Sequence, residues 1–159
     1  SMTSVSWPAR MQRLKQGDLV DLAPKGAEIW LDGGHNPGAG IVVAEALAGR
    51  DEASERPLFM IIGMINTKDS KGYFEAFEGL VKHIYTVPMS ASDAGVSPEM
   101  LALSAQNAGL SAEPVSSVSN ALALLRENFD PDETAPRILI GGSLYLAGEV
   151  LRDNGTPPQ

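Results

Sequence analysis

The sequence contains no cysteine among its 159 residues, so neither a disulfide nor a thiolate metal site can contribute to its fold or its chemistry. This absence suits a reducing compartment, and we expect a cytoplasmic protein. Basic residues are also scarce: 12 lysines and arginines stand against 20 acidic residues, giving a formal net charge of -8. Such a chain would repel the phosphates of a nucleic acid and the anionic face of a membrane. We therefore expect neither as a partner.

Long hydrophobic runs are missing too. The apolar stretches are far shorter than a membrane-spanning helix, and the N-terminus has no basic region followed by a hydrophobic signal segment. Hydrophobic residues nevertheless make up 43% of the sequence, which is enough for the core of one compact domain. We expect a single domain over residues 1–159, in which Ser1 and Met2 are the remnant of an expression tag and residues 155–159 form a flexible tail.

Strand and helix patterns alternate along the chain. The predicted extended segments comprise an N-terminal hairpin of residues 19–22 and 27–31, a doubly buried strand over 58–64, a strand over 83–87, a weak edge strand at 114–115 and a last strand over 137–140. The predicted helices cover residues 36–49, 70–80, 97–109, 119–129 and 144–153. This alternation predicts an α/β three-layer sandwich with a Rossmann-like, mainly parallel sheet flanked by helices.

The segment Asp32-Gly33-Gly34-His35-Asn36-Pro37 lies between a predicted strand and a predicted helix. In open α/β sheets, ligands bind at such turns, outside the carboxyl ends of the strands. Glycines let the backbone approach a ligand, and the following helix presents free N–H groups to an anion. The pattern therefore predicts a nucleotide site. A plain tight turn with a solvated histidine is the alternative that the local pattern leaves open.

Four segments, in the same order, resemble motifs of the C-terminal domain of folylpolyglutamate synthase/dihydrofolate synthase, a Mur-ligase-type enzyme. They are residues 7–10 (resembling W-P-G-R), residues 32–37 (D-G-A-H-N-P), residues 63–69 (G-M-x-x-x-K-D) and residues 140–146 (ending in G-S-x-Y-L). The resemblance covers nearly the whole chain. The sequence departs from the family pattern at Ala9, where glycine is usual, and at Gly34, where alanine is usual.

The resemblance implies a role for several residues. Arg10 and Asp32 would contact ATP, the arginine near the phosphates or the base and the aspartate at the ribose hydroxyls. His35 would be the catalytic side chain, close to the transferring phosphate. Ser143, at a helix N-terminus, would hold the carboxylate of the incoming glutamate. Lys68 and Asp69 are interpreted as a solvated pair at a helix start rather than as direct participants.

The family's reaction, as the resemblance implies it, joins L-glutamate to folate or dihydropteroate through an acyl phosphate, using ATP and Mg²⁺. No G-x-x-x-x-G-K-[ST] sequence occurs in the chain, although Mur-type ligases carry such a P-loop in a central domain. We therefore expect that an upstream ATPase domain is absent from this chain and that it would supply most Mg²⁺ ligands. The site would form in the cleft between the two domains, so the chain alone is expected to be inactive.

Two other functions are compatible with the sequence. One is a stand-alone, non-catalytic nucleotide-binding module that uses the Asp32 loop. The other is the C-terminal domain of a peptidoglycan Mur ligase, although the Gly-Ser-x-Tyr-Leu ending fits the folate enzymes better. A dinucleotide oxidoreductase is disfavoured because no G-x-G-x-x-G follows the first strand.

Overall fold

A computed structural model describes residues 11–89 and 95–155 of the chain. These residues form a six-stranded sheet with helices on both faces. The strands are β1 (Gln12–Leu14), β2 (Glu28–Asp32), β3 (Leu58–Ile62), β4 (Val81–Thr86), β5 (Ala112–Pro114) and β6 (Arg137–Gly141). The α-helices are α1 (Pro37–Ala53), α2 (Ser70–Glu75), α3 (Pro98–Asn107), α4 (Val118–Glu127) and α5 (Leu144–Asp153). The predicted three-layer α/β sandwich is confirmed.

The strand order is β1-β2-β6-β3-β4-β5. β1 pairs antiparallel with β2, and all other neighbours are parallel. Helices α1, α2 and α3 pack against one face of the sheet, and α4 and α5 pack against the other. Because the last strand, β6, inserts between β2 and β3, the loops that leave these three strands lie side by side at the carboxyl edge of the sheet. This edge holds the candidate site.

The central strands are apolar on both faces because helices cover both. Every residue of β2 and of β6 is buried, and in β3 only Phe59 is half-buried. Four helices begin with a side chain that accepts a backbone N–H from the first turn, which satisfies part of the unpaired helix start. These capping residues are Asn36, Ser97, Ser117 and Ser143.

The predicted hairpin of residues 19–22 with 27–31 is wrong. Val20–Leu22 forms a 3-10 helix, and the antiparallel partner of β2 is β1, with Gln12 opposite Leu31. Both edges of β2 are occupied, by β1 and β6, so no further strand can pair there. The N–H groups of Leu19 and Val20 instead donate to the side-chain oxygen of Asn154, at 2.9 and 3.3 Å.

Other element boundaries differ by up to about one turn. α1 continues to Ala53 rather than ending near Gly49, and α2 ends at Glu75, after which turns lead to Leu80. α5 matches its predicted range of 144–153. Within the described ranges, no helix has both the length and the apolar character needed to cross a membrane. The predicted tag remnant and residues 156–159 of the predicted tail lie outside these ranges.

Candidate functional site at the carboxyl edge of the sheet

Asp32, the last residue of β2, is fixed by backbone donors on both sides. Its Oδ1 accepts the N–H of Met11 at 3.0 Å, and its Oδ2 accepts the N–H of Gly34 at 2.9 Å. The residue is only 5% exposed. The carboxylate therefore connects the entry of β1 to the glycine loop, and each oxygen keeps room for a second hydrogen bond.

Gly34 is required by a close approach within this loop. A Cβ at this position would lie 2.6 Å from the Cβ of Ala39 and 2.9 Å from Asp32 Oδ2. Both distances are too short for a real side chain, so an alanine would have to move α1 or the carboxylate. The departure from the family's usual alanine therefore accompanies a tight contact between the loop and the first turn of α1. Asn36 caps that turn by accepting the Ala39 N–H at 2.8 Å.

The turn after β6 brings Ser143 to the same edge. Gly142 has a φ of 101°, and a Cβ there would lie 2.8 Å from the carbonyl oxygen of Gly63, at the end of β3. Only glycine fits both conditions. Ser143 then caps α5: its Oγ accepts the N–H groups of Tyr145 and Leu146 at 3.0 and 3.4 Å. The hydroxyl hydrogen of Ser143 stays available to donate to another group.

A cavity of about 230 Å³ opens between these loops. Its polar lining comes from the loop after β2, the loop after β3 and the start of α5, through His35, Asn66, Lys68, Asp69, Ser143 and Tyr145. Met64, Ile65 and Leu144 add apolar surface. The cavity thus combines a cation, a carboxylate, an imidazole and the N-terminal end of a helix, which suits a small ligand that carries both a carboxylate and an amino group.

Two of the four predicted site residues, His35 and Ser143, line this one cavity. Asp32 does not line the cavity and lies three residues before His35, the lining residue of the same loop. Arg10 lies outside the described residues. Lys68 and Asp69, interpreted from the sequence as a solvated pair, are exposed and also line the cavity.

Sequence reasoning gave no role to Asn66 or Tyr145, which also face the cavity. Asn66 orders the loop after β3, because its side-chain oxygen accepts the N–H of Lys68 at 3.0 Å. Tyr145 occupies a specified position of the G-S-x-Y-L motif, so the motif match was a signal that could have found it, whereas Asn66 occupies an unspecified position of its motif and had no such signal.

Tyr73 lies under the site from the α2 side. It is fully buried, and within the described part of the chain its hydroxyl has no hydrogen-bond partner. A Cβ at Gly141 would be 3.5 Å from this hydroxyl, which places it at the ends of β2 and β6. Burial raises the pKa of Tyr73 strongly, and the negative charge of Asp32 raises it further. Tyr73 therefore carries a neutral hydroxyl at neutral pH.

The arrangement resembles solved ligases in fold. A folylpolyglutamate synthase from Mycobacterium tuberculosis, complexed with ADP and AMPPCP, matches with a TM-score of 0.76 at 24% identity, covering 98% of this chain and 34% of that one. A bifunctional folylpolyglutamate synthase/dihydrofolate synthase from Yersinia pestis matches with a TM-score of 0.68 at 23% identity, covering 92% and 31%. A UDP-N-acetylmuramate-alanine ligase from Thermotoga maritima gives 0.53 at 14% identity, covering 91% and 29%. The chain spans about a third of the length of these proteins.

No curated protein matches the chain in sequence. The sequence profile of one family, described as "Mur ligase, glutamate ligase domain", matches residues 9–144. The matched region takes in the glycine loop after β2, the loop after β3 and the turn after β6, which are the three segments that build the site. The chain therefore belongs to the glutamate ligase domain family of the Mur ligases.

Proposed function

We propose that the chain is the C-terminal domain of an ATP-dependent ligase that joins L-glutamate to folate or dihydropteroate through an acyl phosphate. The observation that carries this proposal is the single cavity shared by His35, Lys68 and Ser143. These side chains come from three separate loops that the strand order brings to one edge. Family membership supports the ligase assignment, and the Gly142-Ser143-Leu144-Tyr145-Leu146 ending, which resembles that of the folate enzymes, supports the folate assignment.

Glutamate would bind at the start of α5. The Ser143 hydroxyl can donate a hydrogen bond to a carboxylate oxygen, and the helix N-terminus adds a partial positive charge. Lys68, in the same cavity, supplies a full positive charge for a second carboxylate. A dicarboxylic amino acid fits this donor set better than a neutral one, because a neutral amino acid has no second carboxylate to place beside Lys68.

ATP would lie against the glycine loop. The residues there fit a nucleotide: the Asp32 carboxylate has acceptor sites left for a ribose hydroxyl, and the loop carries two glycines before the N-terminus of α1. Arg10 would lie near the phosphates or the base. When bound, ATP supplies the phosphoryl group that activates the acceptor's carboxylate. His35, exposed at the cavity, would donate a hydrogen bond to a transferring phosphoryl oxygen or handle a proton there.

Mg²⁺ would be held mainly by the partner domain. Among residues 11–89 and 95–155, no three His, Asp or Glu side chains come together as a metal site. The proposal therefore assigns no metal ligand to this chain.

The complete enzyme would need the central ATPase domain, whose P-loop sequence does not occur in this chain. We expect the chain alone to release no ADP in the presence of ATP, Mg²⁺, glutamate and a folate, whereas the complete protein turns over. A coupled assay of ADP release on both proteins measures this. Robust turnover by the chain alone would refute the assignment as one domain of a two-domain site.

A second assay tests the substrate. With the complete protein, we expect ADP release to depend on glutamate together with folate or dihydropteroate, and not on a UDP-linked muramoyl acceptor. The opposite dependence would assign the chain to a peptidoglycan ligase. Nucleotide binding without any acceptor-dependent release, in the complete protein, would favour the non-catalytic module.

A further inference from the structure

Met11 has an unusual backbone conformation. Its φ of 43° makes it the one non-glycine residue with positive φ among those that the structure describes. A side chain with a Cβ disfavours this region, so such a residue keeps its conformation only when its surroundings hold it there. Strained positions of this kind concentrate at functional sites. Met11 directly precedes β1 and directly follows Arg10.

The group that holds Met11 is the Asp32 carboxylate. The Met11 N–H donates to Oδ1 at 3.0 Å, while the other carboxylate oxygen, Oδ2, receives the Gly34 N–H at 2.9 Å. Pairing of Gln12 with Leu31 keeps β1 and the end of β2 in register. The Met11 side chain also packs, half-buried, against the core on the α1 face. One carboxylate thus fixes two loops at once.

We propose that Asp32 is a positioning residue for the segment that enters β1. By accepting the Met11 N–H, it holds the left-handed turn at residue 11, which directly follows Arg10 in the sequence, the residue to which the proposed function assigns a contact with ATP. This role is separate from any contact between Asp32 and the ribose. Its effect on ATP rests on the proposed function, but the contact with Met11 does not.

A carboxylate is needed because both oxygens must accept. In Asp32→Asn one oxygen becomes an NH₂ group, which cannot accept an N–H. The variant keeps the size of the side chain and loses one of the two charge-assisted bonds. The substitution therefore tests the hydrogen bonds to the Met11 and Gly34 N–H groups without changing how the side chain packs.

The first experiment uses the chain itself and no nucleotide. Amide hydrogen exchange, followed by NMR, is measured for Met11 and Gly34 in the wild type, in Asp32→Asn and in Asp18→Asn, an exposed aspartate that serves as the control. We expect protection of both amides in the wild type and about tenfold or faster exchange of at least one in Asp32→Asn, the size expected for one bond to a charged acceptor. An unprotected Met11 amide in the wild type would overturn the proposal.

The second experiment uses the complete ligase and a rescue. Glycine adopts positive φ without the Cβ penalty, so Met11→Gly should restore the turn when the carboxylate is gone. We expect Asp32→Asn to raise the KM for ATP about tenfold, with a smaller change in kcat, because one charge-assisted bond is lost. In Asp32→Asn combined with Met11→Gly, the KM for ATP should be at least about threefold lower than in Asp32→Asn alone, because glycine removes most of the free-energy cost of a positive φ. Met11→Ala, which loses the same packing but keeps a Cβ, should recover nothing.

A purely ribose-binding Asp32 gives a different result. In that case the wild-type enzyme would discriminate between ATP and 2′- or 3′-deoxy-ATP, and Asp32→Asn would lose this discrimination. Adding Met11→Gly to Asp32→Asn would then leave the KM for ATP unchanged. Absence of rescue by Met11→Gly, when the Met11 amide has lost its protection in Asp32→Asn, therefore overturns the positioning role, and so does a Met11 amide that is equally protected in both Asp32→Asn and the wild type while the KM rises. If the complete protein shows no acceptor-dependent ADP release at all, the proposed function fails. The exchange of the Met11 amide then decides by itself whether Asp32 positions residue 11.

Discussion

Asn154, at the C-terminal end of α5, connects the two ends of the described chain. The side chain is 2% exposed. Its Oδ1 accepts the N–H groups of Leu19 and Val20 at 2.9 and 3.3 Å, and its Nδ2 donates to the carbonyl of Gln16 at 2.9 Å. These bonds hold the segment between β1 and β2 against a helix more than a hundred residues away in sequence. We predict that Asn154 is among the most sensitive polar positions of the fold.

Replacement of Asn154 by alanine removes these three hydrogen bonds. At about 1 kcal/mol of net stability each, the free energy of unfolding should fall by about 3 kcal/mol. For a chain of this length, this corresponds to a decrease in Tm of roughly 6–12 °C. Asn154→Asp keeps the acceptor but loses the donor to Gln16, and its charge is unfavourable at a helix C-terminus. We expect a loss of at least about 1 kcal/mol for this variant.

Urea unfolding followed by circular dichroism measures both effects. Asn107→Ala is the matched control, because Asn107 is exposed at the C-terminal end of α3, and a change within about 0.5 kcal/mol is expected there. The reasoning is refuted if Asn154→Ala changes stability no more than the control does. It would then follow that water replaces the side chain at little cost.

Three further substitutions test other parts of the structure. Burial alone would raise the pKa of Glu28, but hydrogen bonds from Arg137 and Trp30 and nearby positive charge outweigh it and lower the pKa. The charged Glu28 therefore stabilises the fold above the ordinary pKa of 4.5, and this stabilisation is lost as pH falls through the lowered pKa. In urea titrations, the difference in unfolding free energy between wild type and Glu28→Gln should shrink below about pH 4.5. A difference that stays constant with pH would contradict this. Tyr73→Phe removes a buried hydroxyl without a described partner and should leave stability unchanged or raise it by up to about 1 kcal/mol, whereas a loss of that size would reveal a partner. Gly34→Ala should destabilise by about 1–3 kcal/mol through the short contacts with α1, and an unaltered Tm would show that the loop relaxes freely.

Local patterns were sufficient for most of the sheet and helices. The apolar runs of β3 and β6 are buried on both faces, as their composition indicates, and Ser143 lies at the N-terminus of α5, where the sequence placed it. These features depend on neighbours in sequence or on the simple need to cover a sheet on both sides. They could therefore be predicted without knowing which residues lie close together in the folded chain.

The N-terminal region could not be predicted in the same way. Residues 19–22 are mostly apolar and were predicted as a strand, but the N–H groups of Leu19 and Val20 donate to the Asn154 side chain, a partner that no local pattern identifies. The same holds for the site. Nothing in the sequence near Lys68 shows that β6 inserts beside β3 and brings Ser143 to the same cavity, so a pair interpreted as solvated became part of the lining.

Contacts at the amino end of the sheet hold the C-terminal end of α1, the helix that begins at the candidate site. Glu28 and Arg137 are register partners at the starts of β2 and β6, and the Arg137 Nε donates to the Glu28 carboxylate at 2.7 Å. The same guanidinium donates to the carbonyl of Ser54 at 3.0 Å and lies 3.4 Å from Asp51, both at the end of α1. A cation at this position also complements the negative end of the helix dipole.

This arrangement fixes both ends of α1 to the strands that flank it. Its C-terminal end accepts hydrogen bonds from the buried Arg137, at Ser54 and Asp51, and its N-terminal end begins at the turn that Asn36 caps. Because the glycine loop joins β2 to α1, neither end of the loop can shift without disturbing one of these anchors. The loop therefore presents His35 to the cavity from a position that both anchors of α1 hold.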